Sequence, residues 1–331
     1  MTGVVAVTGA EGFIGSHLVE ALVRRGHRVR AMVLYNSFGS WGWLDTLEPA
    51  VLDQIDVVLG DVRDARSVRE LVADAHTVYH LASLIAIPYS YRAPHSYVDT
   101  NVIGTMNVLE AVRELGTARL VHTSTSETYG TARTVPITED HPLQAQSPYA
   151  ASKLGADKLV ESYHLSFDVP AVTLRPFNTF GPRQSARAVI PTVVSQIASG
   201  AKEITLGALD PTRDFLFVAD TAAAFVAVGT ASSSAVVGEV FNAGTGVEVS
   251  VGRLAKDIAR LMVADVEFTQ DTERIRPKNS EVMRLVADAT KLHERTGWEP
   301  EVTRDEGLLR TIEWFLRKEN LARYKPAIYN Q

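Results

Sequence analysis

The fold is decided near the start of the chain by the stretch Val4-Val5-Ala6-Val7-Thr8-Gly9-Ala10-Glu11-Gly12-Phe13-Ile14-Gly15-Ser16. Its four leading apolar residues predict a strand, because the run is too short for a buried helix. Residues 18–25 then show the apolar spacing of an amphipathic helix. Glycines between a strand and a helix allow a tight turn, a close approach of the backbone to a pyrophosphate, and close packing of the helix. The stretch therefore predicts a doubly wound parallel α/β sheet of the Rossmann type, with a dinucleotide cofactor bound at Gly9, Gly12, Phe13, Ile14 and Gly15.

Length and composition are those of an ordinary globular protein. The 331 residues exceed the usual size of one hydrophobic core and predict two lobes or one enlarged α/β domain. Hydrophobic residues make up 46% of the chain and charged residues 22%, as in soluble proteins. The net charge of -6 argues against nucleic acid or an anionic membrane as a partner.

The residue types that are missing exclude several kinds of site. Without cysteine, the chain has no disulfide framework, thiol nucleophile or thiolate metal site. We find no metal-ligand spacing, no charged-then-apolar leader and no apolar run of about 18 residues. We therefore expect a cytoplasmic protein that has no metal centre and does not enter a membrane.

Further apolar runs predict the other strands of the parallel sheet, whose carboxyl ends are the usual place for ligands. These runs span residues 28–34, 55–59, 77–81, 119–123 and 171–174. His80, inside one of them, is predicted to be a hydrogen-bonded core residue. Asp61 could accept a hydrogen bond from the adenine or cap the next helix, and Asp64 is predicted to cap it. After the second, third and fourth strands, we expect cofactor contacts from Asn36, Asp61, Val62, Leu81, Ala82 and Ser83.

The end of the second strand also bears on the choice of cofactor. Dinucleotide-binding folds often place there an acid that binds the adenosine ribose, or an arginine that accommodates a 2'-phosphate. Residues 33–36 are Val, Leu, Tyr and Asn, which are neither. The lack of a cation favours NAD, and NADP stays open.

A tyrosine and a lysine form the second motif. Ser147 and Pro148 predict a helix start, because serine caps free amides and proline fits the first turn. Tyr149 and Lys153 would then share one helix face. A phenol with an ordinary pKa near ~10 becomes a better base beside an ammonium group. This spacing is common on helix surfaces, but here it predicts a proton-transfer pair that also contacts the cofactor.

Hydroxyl groups and a carboxylate follow the fifth strand, in the run from Thr123 to Gly130. Runs of Ser and Thr commonly cap loops. This one reaches the same sheet edge as the glycine loop and the Tyr149 helix, which favours a functional role. Asn101 lies inside a helix predicted over residues 96–115, where asparagine is unfavourable, and we expect it to make a backbone or water contact near the cofactor.

Prolines and a glycine after residue 175 predict a departure into a second lobe. We expect a dinucleotide-binding domain over residues 1–174 plus about 210–245, and a smaller mixed α/β substrate lobe over about 175–209 plus 246–331. In that lobe, residues 274–278 are basic although the protein is acidic. They could be a solvated charge run or a clamp for a diphosphate, which guanidinium groups bind well.

Together these motifs resemble the extended short-chain dehydrogenase/reductase family. The resemblance is carried by the glycine loop, by Tyr149-x-x-x-Lys153 and by Ser124-Thr125-Ser126-Glu127-x-Tyr129-Gly130. The segments Arg175-Pro-Phe-Asn178-x-x-Gly-Pro-Arg183 and Arg213-Asp-Phe are similar to its nucleotide-sugar branch. Residues 34–43, 185–191 and 276–282 resemble the nucleotide-hexosamine 4,6-dehydratases of legionaminic-type sugar pathways.

The resemblance implies a nicotinamide cofactor, a nucleotide-sugar substrate and a homodimer formed through the helices that hold Asn101 and Tyr149. It also implies which residues bind the substrate, namely Asn178, Arg187, Arg213 and Arg276.

The reaction implied by the resemblance is a 4,6-dehydration. Tyr149, helped by Lys153, would take the proton of the sugar 4-hydroxyl while hydride leaves C4 for the nicotinamide. Thr125 would hydrogen-bond the same oxygen. Glu127 would then remove the C5 proton, water would leave from C6, and the hydride would return to C6 to give a 4-keto-6-deoxy sugar.

One catalytic position departs from the family pattern. Many 4,6-dehydratases have Thr-Asp-Glu, in which the aspartate protonates the leaving hydroxyl, and Ser126 stands at that position here. Serine is not an acid of suitable pKa, so Glu127 could serve both steps or a water could relay the proton. The Thr-Ser-Glu form also resembles GDP-mannose 4,6-dehydratases and nucleotide-uronic-acid decarboxylases.

Three alternatives therefore stay open beside the dehydratase. A nucleotide-sugar 4-epimerase would need Tyr149, Lys153 and Thr125 but would have no use for Glu127. A decarboxylase would release carbon dioxide from a uronic acid. A nucleotide-binding regulator that kept the fold would need none of the four residues. The nucleobase (GDP or UDP) and the sugar are not decided by the sequence.

Overall fold

A computed structural model of the chain describes residues 3–271 and 274–325. Thirteen strands are formed by these residues, and their bounds follow in chain order. They are β1 (Val4–Thr8), β2 (Arg28–Leu34), β3 (Ile55–Gly60), β4 (Thr77–His80), β5 (Arg119–Thr123), β6 (Ala171–Pro176), β7 (Asn178–Phe180), β8 (Glu203–Leu206), β9 (Thr212–Phe217), β10 (Val240–Ala243), β11 (Glu248–Ser250), β12 (Glu267–Gln270) and β13 (Arg284–Leu285).

Seven of these strands form one parallel sheet in the order β10-β6-β5-β4-β1-β2-β3. Val5, Ala6 and Val7 of β1 are buried, as expected for a strand covered by helices on both faces. The strand order reverses beside β1, and ligands bind at such a switch point outside the carboxyl ends of the strands. The predicted doubly wound parallel sheet is confirmed.

Helices surround this sheet and build the second lobe. The α-helices are α1 (Phe13–Arg24), α2 (Pro49–Leu52), α3 (Ala65–Val72), α4 (Ile87–Arg92), α5 (Pro94–Tyr97), α6 (Gly104–Leu115), α7 (Pro148–Phe167), α8 (Val189–Ala198), α9 (Val218–Thr230), α10 (Ser233–Val236), α11 (Val251–Leu261), α12 (Thr290–Thr296), α13 (Arg304–Leu316) and α14 (Lys318–Leu321). Gly42–Thr46 and Ser126–Tyr129 are 3-10 helices, and Val98–Ile103 is π-helical.

The two faces of the main sheet have separate cores. On one face, α3, α6 and α7 bury side chains such as Leu71, Val108 and Val160. On the other, α1 and α9 bury Leu18 and Phe225 among the sheet's valines. No helix in the described part of the chain is long and apolar enough to cross a membrane.

The second lobe has its own sheets. In the larger one, β9 pairs with β7, β11 and β13, while β8 and β12 form a separate pair. Phe180, Phe217 and Leu308 belong to the core of this lobe. Because β9 belongs here, the chain returns to the main sheet with α9 at Val218 rather than near residue 210. The division into two domains stays a prediction, and residues 1, 2, 272, 273 and 326–331 of its ranges lie outside the described residues.

Short sequence motifs predicted the bounds of some helices correctly and those of others less accurately. The helix α7 begins at Pro148, where the Ser147 hydroxyl oxygen accepts a hydrogen bond from the Ala150 N–H at 3.1 Å, as predicted. The predicted helix over residues 96–115 is instead divided into α5, the π-helical turn and α6. The first helix starts at Phe13, earlier than predicted, because the end of the glycine loop forms its first turn.

Candidate active site

The glycine loop joins β1 to α1 at the carboxyl edge of the main sheet. Gly9 has a positive φ of 66°, and a β-carbon there would lie only 2.8 Å from the Ala82 nitrogen. A β-carbon on Gly15 would collide with the Gly9 carbonyl oxygen, so α1 packs tightly on the loop. Among the described residues, no side chain caps the start of α1 at Gly12. Its first amides are thus available to an anion such as a pyrophosphate.

The ends of β3 and β4 line the same cleft through Asp61, Val62, Leu81, Ala82 and Ser83. The Arg63 guanidinium donates to both oxygens of Asp61, and this contact lowers the pKa of the Asp61 carboxyl. Asp64 caps α3 by accepting from the Ser67 N–H at 2.8 Å, as predicted.

His80 is the hydrogen-bonded core residue that the sequence predicted. Its Nδ1 lies 2.8 Å from the Thr8 hydroxyl, and its Nε2 lies 3.0 Å from the Thr105 hydroxyl. Burial lowers the pKa of the imidazole well below its ordinary value, so the ring is neutral.

Two residues assigned to the cofactor do not line the cleft. Asn101 is buried, where it accepts from the Leu84 N–H at 2.8 Å and donates to the Leu84 carbonyl at 3.0 Å and to Ser152 at 2.9 Å. It therefore makes the predicted backbone contact and positions the loop after β4, while its contact with the cofactor stays a prediction. Among the described residues, the Asn36 amide bonds to its own segment, donating to the Leu34 and Ser40 carbonyls and accepting from the Phe38 and Ser40 N–H groups.

Tyr149, Lys153 and Thr125 meet at the floor of the cleft. Burial raises the pKa of Tyr149 above its ordinary value, while the hydrogen-bonded Thr125 hydroxyl favours the phenolate. Lys153 donates from Nζ to the Thr123 carbonyl at 2.5 Å, and burial lowers the pKa of its ammonium group to about 8. Thr125 rather than Lys153 thus favours the phenolate in this arrangement.

Asp157, one turn beyond Lys153 on α7, is the buried carboxylate beneath this pair. Its oxygens accept hydrogen bonds from Ser124 at 2.6 Å and from Arg175 at 2.9 Å and 3.3 Å, and one lies 3.2 Å from His122 Nε2. Although burial raises the pKa of this carboxyl, these partners together hold it at about 2. Asp157 is thus a fixed negative charge on the buried face of α7.

Glu127 and Ser126 have different surroundings although they are neighbours. Glu127 lines the cleft with Thr125 and Tyr149, and its carboxylate lies 3.7 Å from the Arg276 guanidinium. Ser126 is buried and does not line the cleft. A 3-10 helix has about three residues per turn, so adjacent side chains point in different directions. The structure therefore does not place Ser126 where a catalytic residue would be needed.

The predicted substrate residues face the other side of the same cleft, from the second lobe. Arg213 lies 3.4 Å and Arg276 3.6 Å from the Glu281 carboxylate, so two guanidinium groups converge there. Asn178 also lines the cleft, and its amide oxygen has no hydrogen-bond partner among the described residues. Arg187 lines the cleft from an exposed position, bonded to Ser185 at 3.1 Å. The basic segment is thus part of the cleft, which is what the diphosphate interpretation requires.

Sequence reasoning did not single out three carboxylates of this region: Glu11, Asp157 and Glu281. Asp157 had a signal, because it lies one helical turn after Lys153. Glu11 lies inside the glycine loop, and Glu281 lies in the segment that resembles the hexosamine dehydratases. Their surroundings depend on distant parts of the chain, so no local pattern could reveal them.

The cleft between the lobes has a volume of about 1170 Å³, which can hold a dinucleotide and a second large ligand. A family model described as GDP-mannose 4,6 dehydratase matches residues 6–311. The chain belongs to this family. The match confirms the predicted nucleotide-sugar branch of the extended short-chain dehydrogenases/reductases.

The relatives of this chain include both dehydratases and epimerases. The chain is 34% identical to UDP-glucose 4-epimerase of Mycolicibacterium smegmatis, with 94% of this chain and 98% of that protein covered. It is 31% identical to dTDP-glucose 4,6-dehydratase of Xanthomonas campestris, with 95% and 93% covered. The dTDP-glucose 4,6-dehydratase of Streptomyces venezuelae, solved with NAD bound, superposes with a TM-score of 0.85 at 27% identity over 98% of this chain and 99% of that one.

Proposed function

We propose that this protein is an NAD-dependent nucleotide-sugar 4,6-dehydratase, which converts an NDP-hexose or NDP-N-acetylhexosamine to the 4-keto-6-deoxy sugar. The observation that carries the proposal is the position of Glu127, which lines the cleft together with Tyr149 and Thr125. A carboxylate beside the oxidising groups can remove a proton next to a ketone. The family match and the dehydratase relatives support this activity.

The cleft fits a nicotinamide dinucleotide. The uncapped start of α1 suits its pyrophosphate, and Asp61 at the end of β3 suits its adenine. Leu81, Ala82 and Ser83 leave room for a ribose and the nicotinamide near Tyr149. When bound, NAD supplies the acceptor for hydride from C4 and its return to C6, so it has to stay in place through one turnover.

The chain's own residues supply proton transfer and charge. Tyr149 would take the proton of the 4-hydroxyl, and Thr125 would hold the same oxygen. The Lys153 ammonium donates to the Thr123 carbonyl in the free protein, and it would have to turn toward the phenol to lower the cost of the phenolate. Once C4 is a ketone, the C5 hydrogen becomes acidic, and Glu127 would remove it.

Departure of water needs a proton donor, and Ser126 is buried away from the cleft. Glu127 has just received a proton from C5 and could return it to the leaving hydroxyl at C6. We therefore propose that Glu127 serves as base and acid in turn, with a bridging water as the other route.

The nucleotide part of the substrate would lie across the second lobe. Arg213 and Arg276 would bind the diphosphate, since guanidinium groups bind phosphate in a bidentate manner. Asn178, with its unpartnered amide oxygen, would bind a hydroxyl or amide of the substrate. Arg187 would reach the ligand from the rim. Whether the base is guanine or uracil, and whether the sugar is the hexosamine of the legionaminic-type enzymes, stay predictions.

A nucleotide-sugar 4-epimerase is the second candidate. The 34% identity to UDP-glucose 4-epimerase favours it, and the burial of Ser126 is compatible with it because an epimerase needs no acid there. Glu127 in the cleft has no task in that reaction. A decarboxylase would share the first oxidation and release carbon dioxide.

Mass spectrometry of a panel of GDP- and UDP-sugars incubated with the protein separates these functions. Loss of water supports the dehydratase, loss of carbon dioxide a decarboxylase, and an unchanged mass with a new isomer the epimerase. Turnover of none of them would favour a regulator.

Two variants test which of Glu127 and Ser126 takes part in the loss of water. Glu127→Gln should lower the dehydration rate by about 100-fold or more and abolish deuterium uptake at C5 from heavy water. Ser126→Ala should leave the rate within about twofold, because its side chain is outside the cleft. Unchanged dehydration by Glu127→Gln would remove Glu127 from the mechanism.

We also propose a homodimer and a cytoplasmic location. The helices expected to pair carry exposed apolar side chains, Val98 and Ile103 on the π-helical turn and Leu165 and Phe167 near the end of α7. Light scattering on the purified protein, with a mass of one chain or two, tests the dimer.

A further inference from the structure

The end of β2 lacks the residue that usually selects between NAD and NADP. Leu34 ends the strand with 53% of its surface exposed, and Tyr35 follows with 70% exposed. Neither carries a charge, and the Asn36 amide is occupied by its own loop. The strand itself therefore offers no group for the adenosine ribose.

The Glu11 carboxylate reaches this position from the glycine loop. Its Oε1 accepts a hydrogen bond from the Leu34 N–H at 3.1 Å, so the carboxylate lies directly beside the end of β2. Its Oε2 is buried and has no hydrogen-bond partner among the described residues. Glu11 lines the cleft, and burial raises the pKa of its carboxyl, as expected for a carboxylate without a counter-charge.

The segment after β2 encloses Glu11. The Trp43 N–H donates to the Glu11 carbonyl at 3.0 Å, and a β-carbon on Gly42 would lie 2.8 Å from the same oxygen. The carboxylate thus uses one oxygen for the Leu34 N–H and leaves the other to accept a hydrogen bond from a ligand in the cleft.

We propose that Glu11 is the residue that selects NAD, accepting hydrogen bonds from the adenosine ribose hydroxyls and repelling a 2'-phosphate. The inference rests on the nicotinamide cofactor of the proposed function. A carboxylate is the usual partner of these hydroxyls in dinucleotide folds, but there it follows the second strand, whereas here it comes from the glycine loop. Among the described residues, the pKa of the Glu11 carboxyl is influenced by burial and backbone hydrogen bonds and by no neighbouring cation.

Two of the arginines that line the cleft, Arg63 and Arg323, define what the test has to exclude. Arg63 is held by both oxygens of Asp61, and the Arg323 guanidinium lies 5.7 Å from the centre of the Trp43 ring. If either were free to bind a 2'-phosphate, NADP would bind well in spite of Glu11.

Calorimetric titration of NAD and NADP into nucleotide-free protein tests the proposal without relying on turnover. Wild type should bind NAD at least about tenfold more tightly than NADP. Glu11→Ala should weaken NAD binding by about tenfold, which corresponds to the loss of one charge-assisted hydrogen bond. The affinities for NAD and NADP should then lie within about threefold of each other. Glu11→Gln keeps an acceptor for the Leu34 N–H and removes only the charge, so it should strengthen NADP binding and weaken NAD less.

Asp45→Asn is the matched control. Asp45 lies outside the cleft lining and holds the same loop through Ser40 and the Trp41 N–H. This substitution should leave the ratio of the NAD and NADP affinities unchanged. A change in Asp45→Asn as large as that in Glu11→Ala would assign selection to the loop and overturn the proposal.

Three other results of the titration would refute the proposal, and each can be told from the others. If Glu11→Ala weakens both nucleotides equally, Glu11 only supports the loop and the proposal is wrong. A wild type that prefers NADP also refutes it. If wild type binds neither nucleotide, the cofactor of the proposed function is wrong, and the selectivity inference fails with it.

Discussion

Replacing Lys153 by methionine should stabilise the protein while abolishing its activity. The lysine is 3% exposed, and burial lowers the pKa of its ammonium group from 10.5 to about 8. Each pKa unit corresponds to about 1.4 kcal/mol, so holding the charge in the folded state costs about 3 kcal/mol at neutral pH. Methionine removes this cost but leaves the Thr123 carbonyl without its donor, which costs about 1 kcal/mol. The net gain in the free energy of unfolding should be about 2 kcal/mol at pH 7.

The pH dependence of this gain identifies its cause. Because the pKa of Lys153 is lower in the folded state than in the unfolded state, the penalty is complete below about pH 8 and disappears as the pH rises toward 10.5. About 2 kcal/mol of it should be lost between pH 7 and pH 9.5. The stability advantage of Lys153→Met should therefore vanish over that range.

Urea unfolding of nucleotide-free protein at several pH values measures this effect, since bound cofactor would add its own stabilisation. Lys158→Met is the matched control, because Lys158 lies on the same helix with 60% of its side chain exposed. Its substitution should change the unfolding free energy by less than about 0.5 kcal/mol at every pH. If Lys153→Met is no more stable than wild type at pH 7, or if its advantage does not change with pH, the burial argument is refuted.

Other substitutions test the rest of the site. Alanine at Arg213 or Arg276 should mainly raise KM for the nucleotide sugar, because each change removes a cation expected to hold the diphosphate, and steady-state kinetics with an unchanged KM would contradict this. Asn101→Ala should lower the free energy of unfolding by about 2 kcal/mol and weaken cofactor binding, since it removes two hydrogen bonds to the Leu84 backbone; urea unfolding and calorimetry measure the two effects. Asp157→Asn should cost about 3 kcal/mol of stability, because it removes the negative charge that accepts from the buried Arg175 guanidinium, and a loss below about 1 kcal/mol would disprove that role.

The sequence predicted those features that depend on a few adjacent residues. Three such features are β1, the glycine loop that follows it, and the start of α7 at Pro148. They are local, because each is determined by an apolar run, a turn or a cap within four or five residues. The convergence of the glycine loop, Tyr149 and Glu127 was also predictable, since the carboxyl ends of parallel strands share one edge.

The direction in which a side chain points was harder to predict than the helix or strand to which it belongs. Asn101 lies on a π-helical turn and Ser126 on a 3-10 helix, and both helix types rotate successive side chains differently from an α-helix. The sequence alone therefore does not tell which way these two side chains point. The surroundings of Asn36 were hidden for another reason, because an asparagine can satisfy its amide within a tight loop as readily as on a ligand.

We expect substrate binding and the elimination step to depend on each other, because both involve the same arginine, Arg276. In the free protein, the Arg276 guanidinium lies 3.7 Å from Glu127 and 3.6 Å from Glu281, while Arg213 lies 3.4 Å from Glu281. These carboxylates partly neutralise the buried Arg213 and the half-buried Arg276, which would otherwise be an unpaired anion receptor. A diphosphate that binds Arg276 competes with Glu127 for the same cation. We therefore expect the bound nucleotide to draw Arg276 away from Glu127 and to free this carboxylate for contact with the sugar. A carboxylate that is released only by the bound substrate would act only on a sugar held in the cleft, and this explains why Glu127 lies within reach of the arginine expected to hold the diphosphate.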